Sequence, residues 1–306
     1  MNNKNYKILL YHGVSNYVNY KGIENFSKKH ISKNVFYRQM KFIKKNCNII
    51  SINDLDKFKN EKKIPRNSVL VTFDDGFENN YKVAVPILRK LNIPATFYIS
   101  SGMIGKKKLF WVDKIEDIIN RCKCNYVTIT LHKKEKFNLT TKIKKIKAVK
   151  IIKRFCKNAT AIKKDQLINN LSKEAKISPS FKFSKNYKVM SWNQVKKISA
   201  NSLFDIGGHS LDHNILSRLP LVKMKIDIKE SIKILETKLK KKIIHYSYPE
   251  GQMSDYNQNV KSYLKSLGIK YCPTAINGIA KIDDDSFELR RIMVGINNQK
   301  FPFTSF

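Results

Sequence analysis

Hydrophobic residues in this chain fall into short runs separated by longer stretches of mixed pattern. Runs at Lys7–Tyr11, Asn48–Ile52, Ser68–Phe73, Ala95–Ser100, Phe204–Gly207, Ile244–Tyr248 and Lys270–Thr274 are mostly rich in Val, Ile, Phe and Tyr and too short for helices. Such runs suit strands buried on both faces of a parallel sheet. Between them the spacing turns helical: Phe36, Met40 and Ile43; Ile228, Ile232, Leu235 and Leu239; then Val260, Leu264 and Leu267 before Gly268, a C-cap glycine. Strand and helix in alternation predict an α/β fold with a parallel sheet, open or closed into a barrel. One region breaks the rhythm. From about 106 to 188 the chain is Lys-rich, with strand character only at Tyr126–Leu131 and helical patterns at Lys142–Cys156 and Asp165–Ala175. It reads as a mainly helical insertion within a single catalytic domain spanning 1–306, because structureless loops of that length are rare.

Residues capable of chemistry gather behind the predicted strands. His12 follows the first, Asp74 and Asp75 the third, and His209 and His213 the run at Phe204–Gly207; Pro249, Glu250 and Gly251 follow the run ending at Tyr248. Carboxyl ends of parallel strands are where α/β folds build active sites. Imidazoles four apart share one face of a helical turn, so His209 and His213 can reach one cation. With a carboxylate from a neighbouring strand end they form a three-ligand set with open positions, as a hydrolytic metal centre requires. Zinc is the default ion for that set, with other divalent ions open. Two adjacent acids allow one to bind metal while the other takes a proton from water; the residues alone do not say which does which. A plain Asp-Asp-Gly turn, or a magnesium and phosphate site, would use the same residues.

Composition trims the list of partners. Lys and Arg number 60 against 24 Asp and Glu, a formal net charge of +36, which invites anionic partners. The excess is mostly lysine, accompanied by abundant Asn and Ile and by no nucleic-acid motif, so it reads as composition drift and nucleic acid is not expected. Peripheral contact with an anionic membrane stays compatible with a basic face. Five scattered cysteines with no CxxC pair read as reduced thiols. The apolar run Ile8–Tyr11 is too short for a signal-peptide core, which points to a cytoplasmic protein.

The motifs TFDDG (Thr72–Gly76), HSLDH (His209–His213) and YPEG (Tyr248–Gly251) resemble, in order, those of the polysaccharide deacetylases, carbohydrate esterase family 4. ILLYHGV near the start, SWNQVKKIS before the His motif and LRRIMV near the end add to the likeness. The resemblance implies a distorted (β/α)7-type barrel and a metal-dependent hydrolase that removes an N-acetyl group from an amino sugar. The substrate implied is an amino-sugar saccharide or an activated precursor for surface polysaccharide, and the absence of a secretion signal favours the precursor. Carried over, Asp74 is the catalytic base, and Asp75, His209 and His213 are the metal ligands. Tyr248, Pro249 and Gly251 would border the substrate. Where the family has an arginine that orients the base, this chain has Ser247; Arg291 is the expected replacement, with Arg290 second. The Glu250 amide would serve the oxyanion. The family's late Leu-x-His motif is absent, which leaves His12 as the candidate acid, while His245 reads as structural and His132 lies in the insertion. Of two tryptophans, Trp111 is expected to line a sugar groove and Trp192 to anchor a helix. Rival readings are release of another acyl group from a lipid-phosphate-linked sugar, or a degenerate homologue that binds saccharide without catalysis.

Overall fold

The strand Ser68–Phe73 is buried at all its positions and pairs in parallel with Asn5–Tyr11 on one side and Ala95–Ile99 on the other. The computed structural model describes residues 3–17, 19–296 and 301–303, and the chain divides into two compact units. The first unit runs to Asn16 and resumes over Ser27–Lys106 and from Val189 onward. In it the sheet continues from Ala95–Ile99 to Phe204–Gly208. Beyond that edge the wall is carried by single parallel bridges, Gly208 with Tyr246, His245 with Tyr271 and Asn277 with Arg291. It returns to Asn5–Tyr11 through Ile292–Met293. These three bridges are parallel, while Asn5 and Tyr6 also pair antiparallel with Lys281 and Ala280; the unit is a distorted (β/α) barrel in which much of the wall lacks a continuous ladder.

Two expected strands are therefore reduced. Within Ile244–Tyr248 only His245 and Tyr246 bridge, and within Lys270–Thr274 only Tyr271 does. Pro249 and Pro273 explain the loss, because a proline has no N–H to give a neighbouring strand. The run at Asn48–Ile52 is likewise cut to Asn48–Ile49.

Helices cover the outside. Lys33–Asn46 buries Phe36, Met40 and Ile43, and its first turn is capped by Ser32, whose Oγ accepts from Val35 N; such a cap is worth about 1 kcal/mol. Phe36 packs edge-on against Tyr11 and Phe73, and Phe73 stacks on Phe97 at 4.9 Å. Alternation along a strand then sends Thr72 and Asp74 to the opposite face, into the barrel. Leu221–Leu239 turns Met224, Asp227, Ile228, Ser231, Ile232 and Leu235 inward.

The second unit comprises Tyr17–Phe26 and Lys107–Lys188. It holds helices Trp111–Arg121, Lys142–Asn158 and Ala161–Glu174 and an antiparallel hairpin, Tyr126–Thr130 with Lys134–Asn138. Thr141 and Thr160 cap the second and third helices. The core of this unit is built on Ile115, Ile118, Val149, Ile152 and Leu171, and Ile23 from the earlier segment packs into it. All five cysteines are free. No described helix is long and apolar enough to cross a membrane.

Candidate active site

Parallel register brings the chemistry together. Tyr11 pairs with Phe73 and Ile99 with Gly208, so His12 and Asp74 leave the barrel side by side, as do Ser100 and His209. Asp74 N donates to Tyr11 O, His209 N to Ile99 O, and Ser100 Oγ to His209 O.

After Asp74 the backbone reverses in a single residue. Gly76 N donates to Asp74 O at 3.0 Å across Asp75, whose φ is +76°, the geometry of a γ-turn with a left-handed centre. A second such turn centres on Glu250, with φ +62° and Gly251 N donating to Pro249 O at 2.7 Å. Ser210 and His213 are also left-handed, at +59° and +57°. A left-handed non-glycine residue carries strain and tends to mark sites that hold a fixed geometry.

That finding corrects one expectation. His209 and His213 do not share a helical turn; the segment between them is an irregular loop. The two left-handed residues fold it back so that both Nε2 atoms face Asp75 Oδ1, at 3.5 Å from His209 and 3.2 Å from His213. The loop is held from several sides. Ser210 N donates to the Tyr246 hydroxyl, Leu211 N to Asp227 Oδ1, and Gly102 N to Leu211 O.

Asp75, His209 and His213 are all buried, and their ligand atoms lie within 4.8 Å of one another. His209 Nδ1 donates to Ser247 O at 2.8 Å, which leaves its Nε2 as a bare lone pair aimed at the carboxylate. Among the described residues, Asp75 Oδ1 faces these two ring nitrogens, the Nε2 atoms of His209 and His213, and no other hydrogen-bonding group. Lone pairs converging in a buried space repel unless a cation sits among them, so this donor set fits a divalent metal. Burial pushes the Asp75 carboxyl up, but the histidines outweigh it and hold it well below the usual range. His213 is the reverse case: burial lowers its pKa, while Asp75 and Glu250 raise it, with a net upward shift.

Asp74 faces a different partner. Arg291, fully buried, donates from Nη1 to Asp74 Oδ1 at 2.8 Å and from Nη2 to Asp74 Oδ2 at 2.7 Å. Its other hydrogens go to Thr72 Oγ1, Ser247 Oγ and Thr274 O, so all its donors are used. Burial raises the Asp74 pKa, yet the Arg291 guanidinium outweighs it and the net shift is downward, leaving an ionised carboxylate. Arg290 is exposed. His12 is partly exposed; burial lowers its pKa against the opposing pull of Asp75 and Asp74.

Two expectations fail. Tyr248 is buried, stacks on Tyr256 at 4.2 Å and donates its hydroxyl to Phe287 O, so its ring has no face for a ligand. Trp111 is 5% exposed and packs into the core of the second unit; Trp192, read as an anchor, is the half-buried one. Pro249 is buried, and Gly251 is locked by its left-handed φ of +65°. His245 is buried, with Nε2 against Asn53 Oδ1, and His132 is exposed. Sequence reading missed the Asp227 brace and the buried His30, which contacts Asn79 at 2.9 Å and Phe77 edge-on. A carboxylate on the apolar face of a helix was the one available signal for Asp227.

A barrel of parallel strands with a buried Asp-His-His cluster at their carboxyl ends defines the class. The chain belongs to the polysaccharide deacetylase family, whose model matches residues 61–165 and 165–272. It is 34% identical over 96 residues to the poly-beta-1,6-N-acetyl-D-glucosamine N-deacetylase of Staphylococcus aureus (strain MSSA476), an alignment covering 31% of this chain and 32% of that protein. Two solved structures share the fold, each with a TM-score of 0.60 over 96% of this chain and 93% of the other. They are the Streptococcus pyogenes deacetylase PplD in complex with acetate, 17% identical, and IcaB from Ammonifex degensii, 18% identical.

Proposed function

We propose that the protein is a metal-dependent N-deacetylase acting on an N-acetylated amino sugar in a saccharide. The observation that carries this reading is the pairing of an ion-ready cluster, Asp75, His209 and His213, with a separate ionised carboxylate one residue away, Asp74. When bound there, a divalent ion, with zinc as the expected one, supplies Lewis acidity that brings the pKa of water to about 7 and polarises the acyl oxygen. Asp74 accepts the proton of the attacking water, and Arg291 holds its carboxylate in place for that task. The Glu250 amide, presented by its γ-turn, donates to the oxyanion. His12 protonates the departing nitrogen. Because burial keeps that imidazole neutral, its proton comes from Asp74, the neighbour in register. The proton taken from water thus ends on the amine as the C–N bond breaks.

The name of the S. aureus relative makes a β-1,6-linked N-acetylglucosamine oligomer the first substrate to test. A lipid-linked or nucleotide-linked precursor is the alternative, and a cytoplasmic location would favour it. The test is acetate release with the matching mass loss. It should be abolished by a chelator, restored by zinc, and lowered about 10²–10⁴-fold in Asp74→Asn at full metal content. Loss of formyl in place of acetyl would change the acyl group; no release from any of these substrates by metal-loaded protein would remove the enzymatic reading.

A further inference from the structure

We propose that the second unit carries a saccharide-binding site of its own, a cavity of about 230 Å³ whose lining includes Phe183 and Arg121. Phe183 is 60% exposed, an unusual position for a phenyl ring. The ring is not loose, because the Arg121 guanidinium lies 4.1 Å from its centroid. Arg121 is pinned in turn: Nε and Nη2 donate to the two oxygens of Asp117 at 2.8 and 2.7 Å, and Nη2 also reaches Ser178 O. Asp117 is fixed further by Ser180 N at 2.9 Å. One face of the ring is thus occupied by a held cation and the other is presented to solvent. A preorganised aromatic platform is the element that stacks on the C–H face of a sugar ring, and its rigidity spares the ordering cost of binding.

The rest of the lining selects the ligand class. Glu24 uses Oε1 for Ser184 Oγ and Asn186 Nδ2, leaving Oε2 to accept from a ligand. Lys182 and Lys21 also line the cavity and carry ammonium donors. An inorganic anion would face the carboxylates of Glu24, Glu116 and Asp117, and an apolar ligand would strand charges on every side. A neutral polyol with one apolar face meets neither penalty. The volume lies below the roughly 300 Å³ where drug-sized sites begin, which suits a single sugar unit of a longer chain.

This inference rests on the saccharide reading of the substrate, and the experiment separates the two. Affinity of a short β-1,6-linked N-acetylglucosamine oligomer is measured by calorimetry on the full chain in the Asp74→Asn background, with acetate release by the undamaged protein measured separately. Phe183→Ala should weaken binding about three- to tenfold at unchanged metal content, and Phe183→Trp should restore it. Phe183 is exposed, so its truncation opens no core cavity, and the tryptophan variant checks the fold. Unchanged affinity in Phe183→Ala, or displacement of the oligomer by millimolar inorganic phosphate from this site, overturns the proposal. Phe183-dependent binding without any acetate release would sink the hydrolase reading and leave this site standing.

Discussion

Arg291 carries a full charge with no exposed surface, and every hydrogen it can donate has an acceptor. Removing it strands the Asp74 carboxylate in a buried space, a change that costs about 3–5 kcal/mol. Arg291→Ala should lower the denaturant midpoint accordingly. Asp283→Ala, which breaks only the exposed pair with Lys4, should leave that midpoint nearly unmoved. Arg291→Ala also takes away the charge that opposes burial at Asp74, so the pKa of that carboxyl rises. Since the base works only when ionised, the acid limb of the rate profile should move to higher pH in Arg291→Lys or Arg291→Ala; an unmoved limb would separate Arg291 from the base. His12→Ala should lower kcat about 10²–10⁴-fold with metal content intact. Wild-type turnover in that variant would assign the acid elsewhere.

At the scale of elements, the His-Ser-Leu-Asp-His loop shows what sequence could and could not convey. Strand positions and the order of the motifs were legible, since Val, Ile and Phe runs and their trailing acids and histidines are local features. The register that sets His12 beside Asp74 follows from those runs once they pair in parallel. The loop conformation was not legible: a four-residue spacing suits a helix as well as a loop with left-handed Ser210 and His213. Nor could composition tell that Tyr248 and Trp111 turn into cores, because an aromatic residue near a motif reads the same whether it packs inward or faces a groove. The brace from Asp227 to Leu211 N is the testable part of this geometry. Asp227→Ala should weaken metal affinity about tenfold with the helix intact by circular dichroism. At Gly251, a Cβ would lie 2.7 Å from the Ala275 backbone N, and backbone cannot swing aside. Gly251→Ala should therefore destabilise by about 1–3 kcal/mol and disturb the Glu250 amide, read as a fall in kcat.

For the molecule as a whole, buried neutral histidines set the response to acid. Burial lowers the pKa of His245 to about 4 from an ordinary 6.5, and His30 and His12 shift the same way. Below pH 6.5 the unfolded chain takes up protons that the folded one refuses, so stability falls as pH drops from 6.5 toward 4. His245 alone accounts for about 3 kcal/mol of that loss. His245→Gln should flatten the decline between pH 6.5 and 4.5 in urea titrations; an equal slope would mean that His245 titrates freely.

Ile23, 2% exposed, reaches the core of the second unit from a stretch of chain that precedes the barrel strand Ser68–Phe73. That unit is consequently stitched from two separate pieces and cannot be lifted out with one pair of scissors. A truncation that drops 107–188 but keeps 17–26 would leave an oily stub with nothing to cover it, prone to clumping, whereas excising both pieces together removes stub and cover at once.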